Sequence, residues 1–196
     1  MQITIAHLFP YELNLYGENG NIKALKYALE KKNITVNIVN INPEDKLDFN
    51  TYDFVYLGSG RKKYLDMARN ILKPYKEDIL KYINRDKVML ATGNAIAIFD
   101  FLNLYEIEER EERIVADVTA TCSLCKDTIK GFQNTEYLIK STSSIIFNMN
   151  SGYGNDSTLM EGFMKNNFYA TSIIGPILAR NDKLTVYFVD TIENNK

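Results

Sequence analysis

Imidazole and thiol groups are scarce in this chain of 196 residues: it holds one histidine, His7, and two cysteines, Cys122 and Cys125. A zinc site built on the C-x-x-C pair would need two further soft or imidazole ligands, and His7 is the only imidazole on offer. The local sequence VADVTATCSL alternates as a strand does, and residues three apart on a strand point to opposite faces. Cys122 and Cys125 therefore read as two unpaired thiols whose sulfurs do not converge. Charge of one sign is missing too. A formal net charge of −2 argues against nucleic acid or an anionic membrane as partner. No apolar run approaches the ~20 residues that cross a bilayer. The start, MQITIAHLF, has neither a basic leader nor a small-residue cleavage site. These absences point to the cytoplasm, with no metal and no cofactor expected.

An apolar content of 45% and a charged content of 24% suit a folded domain, and the length suits one domain over residues 1–196. Gln2–Ala6, Thr35–Ile41, Tyr52–Leu57 and Val88–Ala91 read as strands. Helices fall between them, over Ile22–Lys32, from about Arg61, and from Pro74 to about Asn84. The loop YELNLYGENGN precedes the first helix. It is not GxGxxG and has no P-loop lysine, so it reads as a plain turn rather than an anion cradle. Strands alternating with helices predict right-handed crossovers and a mainly parallel sheet.

The second half has another texture. Glu106–Arg113, EIEEREER, reads as a solvated turn or helix end. Ile114–Leu124, Thr128–Phe132, Glu136–Lys140 and Ser144–Met149 read as short strands, an antiparallel addition. Residues 150–156 read as a loop, Glu161–Ala170 as a hairpin, and Thr171–Leu178 as a strand running into Gly175-Pro176. Asp182–Asp190 is compatible with strand or helix, and a closing helix capped by Asn181 is the expectation.

The stretch KVMLATGNAIAIFDFL organises the whole. A buried strand turns sharply at Thr92-Gly93-Asn94 into the apolar helix Ala95–Leu102. This is the geometry by which α/β hydrolytic enzymes raise a nucleophile above the sheet edge. The tip of such a turn costs on the order of 1–3 kcal/mol for a residue with a β-carbon. Here the tip is Gly93, which takes that conformation at little cost and has nothing to attack with. Gly58-Ser59-Gly60 follows the third strand, where small residues let backbone N–H groups approach a ligand.

With HLFPYELNLYGENGNIKALK, YLGSGRKKYLDM, VMLATGNAIAIF, IKGFQN and SGYGN…EGFMKNNFYATSIIGPIL in this order from His7 to Leu178, the chain resembles one family. That family is the class I glutamine amidotransferases of the cobyric acid synthase type. The similarity is greatest to the glutaminase subunits of lipid II isoglutaminyl synthases. The resemblance implies a three-layer flavodoxin-like α/β sandwich. It also implies a Mur-ligase-like ATP-dependent synthetase as partner, and a role in amidating peptidoglycan precursors. Members attack the glutamine amide with a cysteine in Cys-Gly-Gly, use the histidine of a late His-Gly-Pro as base, and hold the oxyanion on backbone N–H groups. In this sequence Gly93 stands at the position of the cysteine and Ile174 at that of the histidine. The family's Gly-Phe-Glu-Asn-His becomes Gly131-Phe132-Gln133-Asn134-Thr135, with no arginine expected in reach.

The resemblance with these replacements implies a protein that has lost glutaminase activity, serving as a binding, regulatory or partner subunit. Gly58, Ser59, Gly60, Arg61, Asn94, Gln133 and Asn134 are the residues expected to meet a glutamine-like ligand. Thr92 has a hydroxyl beside the tip but no evident base, and His7 reads as a structural feature at a strand end. The alternative is an amidotransferase or hydrolase with an altered site, which requires an open polar pocket between Gly60, Gly93 and Gln133. A plain interaction module is the third reading.

Overall fold

The computed structural model describes residues 1–140, 145–155 and 158–196. In chain order it opens with strand β1 (Gln2–Leu8), helix α1 (Asn19–Lys31), β2 (Thr35–Ile41), β3 (Phe54–Leu57) and α2 (Lys62–Leu72). A 3₁₀ turn at Lys73–Tyr75 carries Pro74 into α3 (Lys76–Asn84), and β4 (Val88–Thr92) follows. A 3₁₀ helix, Gly93–Leu102, leaves β4 and ends on Asn103, whose φ of +58° is left-handed. Then come β5 (Glu106–Cys122), β6 (Asp127–Lys140), β7 (Phe147–Ser151), β8 (Met160–Glu161), β9 (Phe163–Lys165), β10 (Phe168–Thr171) and β11 (Ile173–Ile174). The chain closes with the single turn α4 (Ile177–Arg180) and with α5 (Asp182–Asn194).

The strands form two sheets, β2-β1-β3-β4-β10-β9 and β11-β6-β5-β7-β8. In the first, β2, β1, β3, β4 and β10 run parallel, and β9 pairs antiparallel on β10 at the edge. The order 2-1-3-4 followed by a fifth parallel strand is that of a doubly wound flavodoxin-like sheet. Both its faces are buried, so its strands alternate between two cores rather than between core and solvent. Ala6, Leu8, Val55, Leu57, Met89 and Ala91 pack toward α2, α3 and the 3₁₀ helix. Ile3, Ile5, Phe54, Tyr56, Val88 and Leu90 pack toward α1, α5 and part of the second sheet.

The second sheet corrects three expectations. Glu106–Arg113 is no turn or helix end but the first half of the 17-residue strand β5. Its charged side chains are solvated on a strand that runs past the core, so no burial pattern marks it. Pairing holds it instead: Ile107 lies opposite Ile139, and Glu108 bridges to Lys140. Thr128–Phe132 and Glu136–Lys140 belong to one strand, β6, whose alternate residues are buried from Ile129 to Ile139. Between Glu109 and Ile114 the register shifts, so residues 110–113 face only Glu136. Thr171–Leu178 is not one strand. It breaks at Ser172, between β10 of the first sheet and β11 of the second, and again at Gly175, where φ is +85°, before Ile177 and Leu178 enter α4.

The first part of Ser144–Met149 lies outside the described residues, as does residue 156 of the loop over 150–156. Asp182–Asp190 is helical, as expected. Asn181 occupies the capping position, but its side chain does not cap. It accepts from the Lys130 amide at 2.8 Å and donates to the Lys130 carbonyl at 2.8 Å, clamping α5 to β6.

Candidate functional site

The turn after β4 has the conformation its sequence requires. Gly93 sits at φ +62°, where a β-carbon is strained, and it is fully enclosed. A β-carbon built on Gly93 would lie 2.5 Å from Ile174 Cγ2, 2.7 Å from Ser59 Oγ and 2.9 Å from Ser59 Cβ. Those distances are below van der Waals contact. The direction a side chain would take from residue 93 is thus filled by Ile174 and Ser59, themselves 1% and 0% exposed.

Three backbone donors around this turn have partners inside the protein. The Ser59 N–H donates to Glu18 Oε1 at 3.1 Å, and Tyr16 N–H donates to Glu18 Oε2 at 2.8 Å. The Asn94 N–H donates to Ser59 Oγ at 3.0 Å. Glu18 is completely buried, and that burial raises its carboxyl above the usual range while the N–H groups of Tyr16 and Ser59 pull it back. The chain before α1 presses tightly on Gly58-Ser59-Gly60. A β-carbon at Gly58 would meet the Leu13 carbonyl at 2.4 Å, so glycine there admits the protein's own loop.

Ile174 reaches the turn from β11, which pairs with β6 so that Ile173 faces Gln133 and Ile174 faces Phe132. Gln133 is buried and its amide is fully used. Tyr153 N–H donates to Oε1 at 2.9 Å, while Nε2 donates to the Tyr153 carbonyl at 2.7 Å and to Ser172 Oγ at 2.9 Å. Ser172 in turn donates to Glu161, whose carboxylate also accepts from the Ser172 N–H and from Thr171 Oγ1, each at 2.7 Å. Glu161 is the polar centre that sequence reasoning missed. Its one visible signal is a lone carboxylate inside the apolar stretch LMEGFM. Burial pushes its pKa up, against the three hydrogen bonds that favour the charged form.

Gly58, Ser59, Gly60, Gly93, Asn94 and Ile174 therefore converge, with Gln133 behind β11. Two expected residues stand apart. Arg61 is exposed at the start of α2. Asn134 lies on the opposite face of β6 from Gln133, where Arg113 Nη1 donates to its Oδ1 at 3.1 Å. Arg113 also donates from Nε to Glu136 Oε1 at 3.0 Å. An arginine is thus within reach of the Gly131–Thr135 stretch, contrary to expectation. It comes from the register shift in β5, a contact that no local motif could display.

No base serves Thr92. Its hydroxyl meets the Tyr56 hydroxyl at 2.8 Å, and Asn21 Nδ2 donates to that same Tyr56 oxygen at 2.7 Å. Burial drives the Tyr56 pKa far upward, so it stays a neutral phenol. The Leu178 N–H donates to Asn21 Oδ1 at 2.8 Å, so this buried chain braces β4 against α4. His7 packs tilted against Tyr56 with ring centroids 5.5 Å apart, and burial lowers its pKa to about 4. Among the described residues no group of three or more His, Cys, Asp or Glu side chains could hold a metal, and no helix is long and apolar enough to cross a membrane.

Cys122 and Cys125 are both free thiols, as expected. Strand β5 ends at Cys122, and Ser123–Lys126 turn back into β6, with Lys126 at φ +51°. Cys125 therefore lies half-buried on the turn rather than on the strand, while Cys122 is buried at the strand end.

No protein-family model matches the chain. Two curated relatives share 29% identity with it, and both are named lipid II isoglutaminyl synthase (glutamine-hydrolyzing) subunit GatD. The protein from Streptococcus pneumoniae aligns over 215 residues, 100% of this chain and 82% of its own length. The one from Staphylococcus aureus aligns over 211 residues, 96% of this chain and 84% of its own. Among solved structures, PurLQS from Thermotoga maritima superposes with a TM-score of 0.67 at 15% identity, over 99% of each chain. A glutamine amidotransferase from Thermotoga maritima gives 0.62 at 11% identity, over 98% of this chain and 83% of its own. The fold is thus the flavodoxin-like α/β fold of the class I glutamine amidotransferases.

Proposed function

We propose that this chain is a glutamine amidotransferase-like subunit of an amide-forming synthetase that does not itself hydrolyse glutamine. It would work in the cytoplasm beside a Mur-ligase-like ATP-dependent partner in the amidation of a peptidoglycan precursor. The names of its two relatives support the partnership and the substrate class. The observation that carries the loss of hydrolysis is the filled space at residue 93, where a side chain would collide with Ser59 and Ile174.

Amide hydrolysis through a thioester needs a thiolate and a base beside it. General-base help is worth about 10²–10⁴-fold, and removal of a nucleophile costs about 10⁶-fold. Gly93 supplies no nucleophile and Ile174 no base. Burying an isoleucine is worth roughly 1.5–3 kcal/mol, so Ile174 favours a crevice closed by apolar packing. The Ser59 and Asn94 N–H groups, which could hold an oxyanion, already donate to Glu18 and to Ser59 Oγ. The same burial of Gly93, Ser59, Gln133 and Ile174 counts against a remodelled enzyme, which would need open polar space between them.

The test is ammonia release from glutamine by the purified chain, alone and with a co-expressed Mur-ligase-like ATPase. The expected result is co-purification of the two, with no ammonia above the buffer rate and no labelling at residue 93 by a glutamine-mimicking electrophile. Ammonia release at a rate that the electrophile abolishes would refute the loss of hydrolysis. Failure of the two chains to associate would refute the partnership.

A further inference from the structure

Helix α1 shows solvent a face that the core does not use. Along it Gly20, Ala24 and Ala28 recur at every fourth residue and form a low row, while Lys23, Tyr27 and Lys31 form a ridge beside it. Pro176 fills the row at Gly20, where its Cγ lies 2.5 Å from the place of a β-carbon. Past that point Ala24 and Ala28 keep the floor low. On the far side α4 and α5 supply Leu178, Ala179, Thr185 and Val186, and the walls enclose a groove of about 590 Å³. Large apolar side chains stand in water on its two rims: Tyr27 is 60% exposed and Val186 52%. Apolar side chains gathered about a groove, unlike scattered single ones, mark a contact surface.

The walls restrict what can lie there. The backbones of α1 and α5 bond within themselves, so they offer no free edge to an extended peptide. A helix brings its own hydrogen bonds and needs only a side-chain face. From Ala24 to Lys31 the groove runs about 10 Å, the length of two helical turns.

Charge then selects among helices. Among the described residues the walls carry Lys23, Lys31 and one acid, Asp182. Asp182 sits in the first turn of α5, the helix end that favours a carboxylate, and Glu30, the acid within α1, is paired with Lys26 at 3.6 Å. Lys31 lies over the Tyr27 ring at 4.5 Å, and Lys23 makes no ion pair among the described residues. A second copy of this chain would set that cationic excess against itself.

We propose that the α1–α5 groove docks an amphipathic helix of a partner protein, with small apolar residues at every third or fourth position and carboxylates beside them. Ala24 and Ala28 let its backbone come close, Tyr27 and Val186 close over its apolar stripe, and its carboxylates meet Lys23 and Lys31. The groove contains no residue of the elbow, so docking there does not depend on whether glutamine is hydrolysed.

The test titrates the purified chain into two fluorescein-labelled helical peptides of about 18 residues. Each carries a stripe of alanine and leucine, flanked by glutamates in one peptide and by lysines in the other. Anisotropy is expected to show saturable binding of the glutamate peptide and weaker binding of the lysine peptide. Val186→Asp should weaken the glutamate peptide roughly tenfold. Lys23→Glu should weaken it about two- to fivefold and improve binding of the lysine peptide. Both residues are exposed, so neither change removes core packing. Absence of saturable binding by the glutamate peptide would overturn the proposal. So would equal binding by Val186→Asp, or a preference for the lysine peptide. A wild-type dimer that Val186→Asp dissolves in sedimentation runs would give the groove to a second copy and overturn it too.

Discussion

Gly93 shows how one missing side chain lets its neighbours close a site. Its φ of +62° alone disfavours any other residue by roughly 1–2 kcal/mol, and overpacking against buried neighbours adds about 1–3 kcal/mol. Gly93→Ala should therefore lower unfolding stability by several kcal/mol in urea titrations. Much of the steric part comes from Ile174 Cγ2, the nearest atom to the added methyl. In a double-mutant cycle, Ile174→Ala should thus cost less in the Gly93→Ala background than in wild type, with a coupling of about 0.5–3 kcal/mol. Additive losses would show that the two side chains do not compete for one space. That residues 93 and 174 are glycine and isoleucine was legible in the sequence. Their packing was not, because the atoms that fill the gap belong to Ser59 as well as Ile174, and Glu18 holds the Ser59 amide from 41 residues away.

At the scale of elements, Asp53 ties three of them together. Just before β3, its Oδ2 accepts from the Thr4 N–H of β1 at 2.9 Å and from Lys196, beyond α5, at 2.7 Å, while Oδ1 accepts from Lys87 at 3.1 Å ahead of β4. Burial opposes its ionisation, but Lys196, the Thr4 amide and Lys87 outweigh burial and hold its carboxyl below the usual range. The sign follows from linkage. A carboxyl with a lowered folded pKa stabilises above its unfolded value near 3.8, and that stability is lost as pH falls through the folded value. Asp53→Asn should cost roughly 1.5–3 kcal/mol at neutral pH, and the difference from wild type should shrink as pH drops below about 4. A penalty constant across that range would mean that the charge is not what holds the junction.

Strand β2 coincides residue for residue with its sequence reading, because β-branched residues there fall between clear breaks. Strand β5 was misread because its first half carries a charge run on a strand that both faces leave in water. Pairing with β6 and the register shift at residues 110–113 are properties of two strands together, so one segment's pattern could not reveal them.

For the whole molecule, a parallel sheet with both faces covered was legible from alternating apolar runs, since that pattern has few three-dimensional solutions. Site closure belongs to a different order of information. Loop 12–18, the Gly58–Gly60 turn, the 3₁₀ helix and β11 each bring one piece, and only their packing decides whether a crevice remains. In this chain they meet with no room for a side chain at the elbow, and among the described residues Asn94 Oδ1 is buried beside it without a hydrogen-bond partner. On the reading proposed above, the fold of the class I glutamine amidotransferases is thereby separated from the chemistry of glutamine hydrolysis.

The most direct test of that separation is ammonia release from glutamine by the Gly93→Cys, Ile174→His double substitution, assayed beside wild type with folding checked by circular dichroism. With Ser59 Oγ 2.7 Å from the new β-carbon, restoring the thiol and imidazole should leave ammonia release at the wild-type background. A folded double variant that hydrolyses glutamine with saturation kinetics would contradict this, since it would mean that the crevice is open and only its reactive groups were lost.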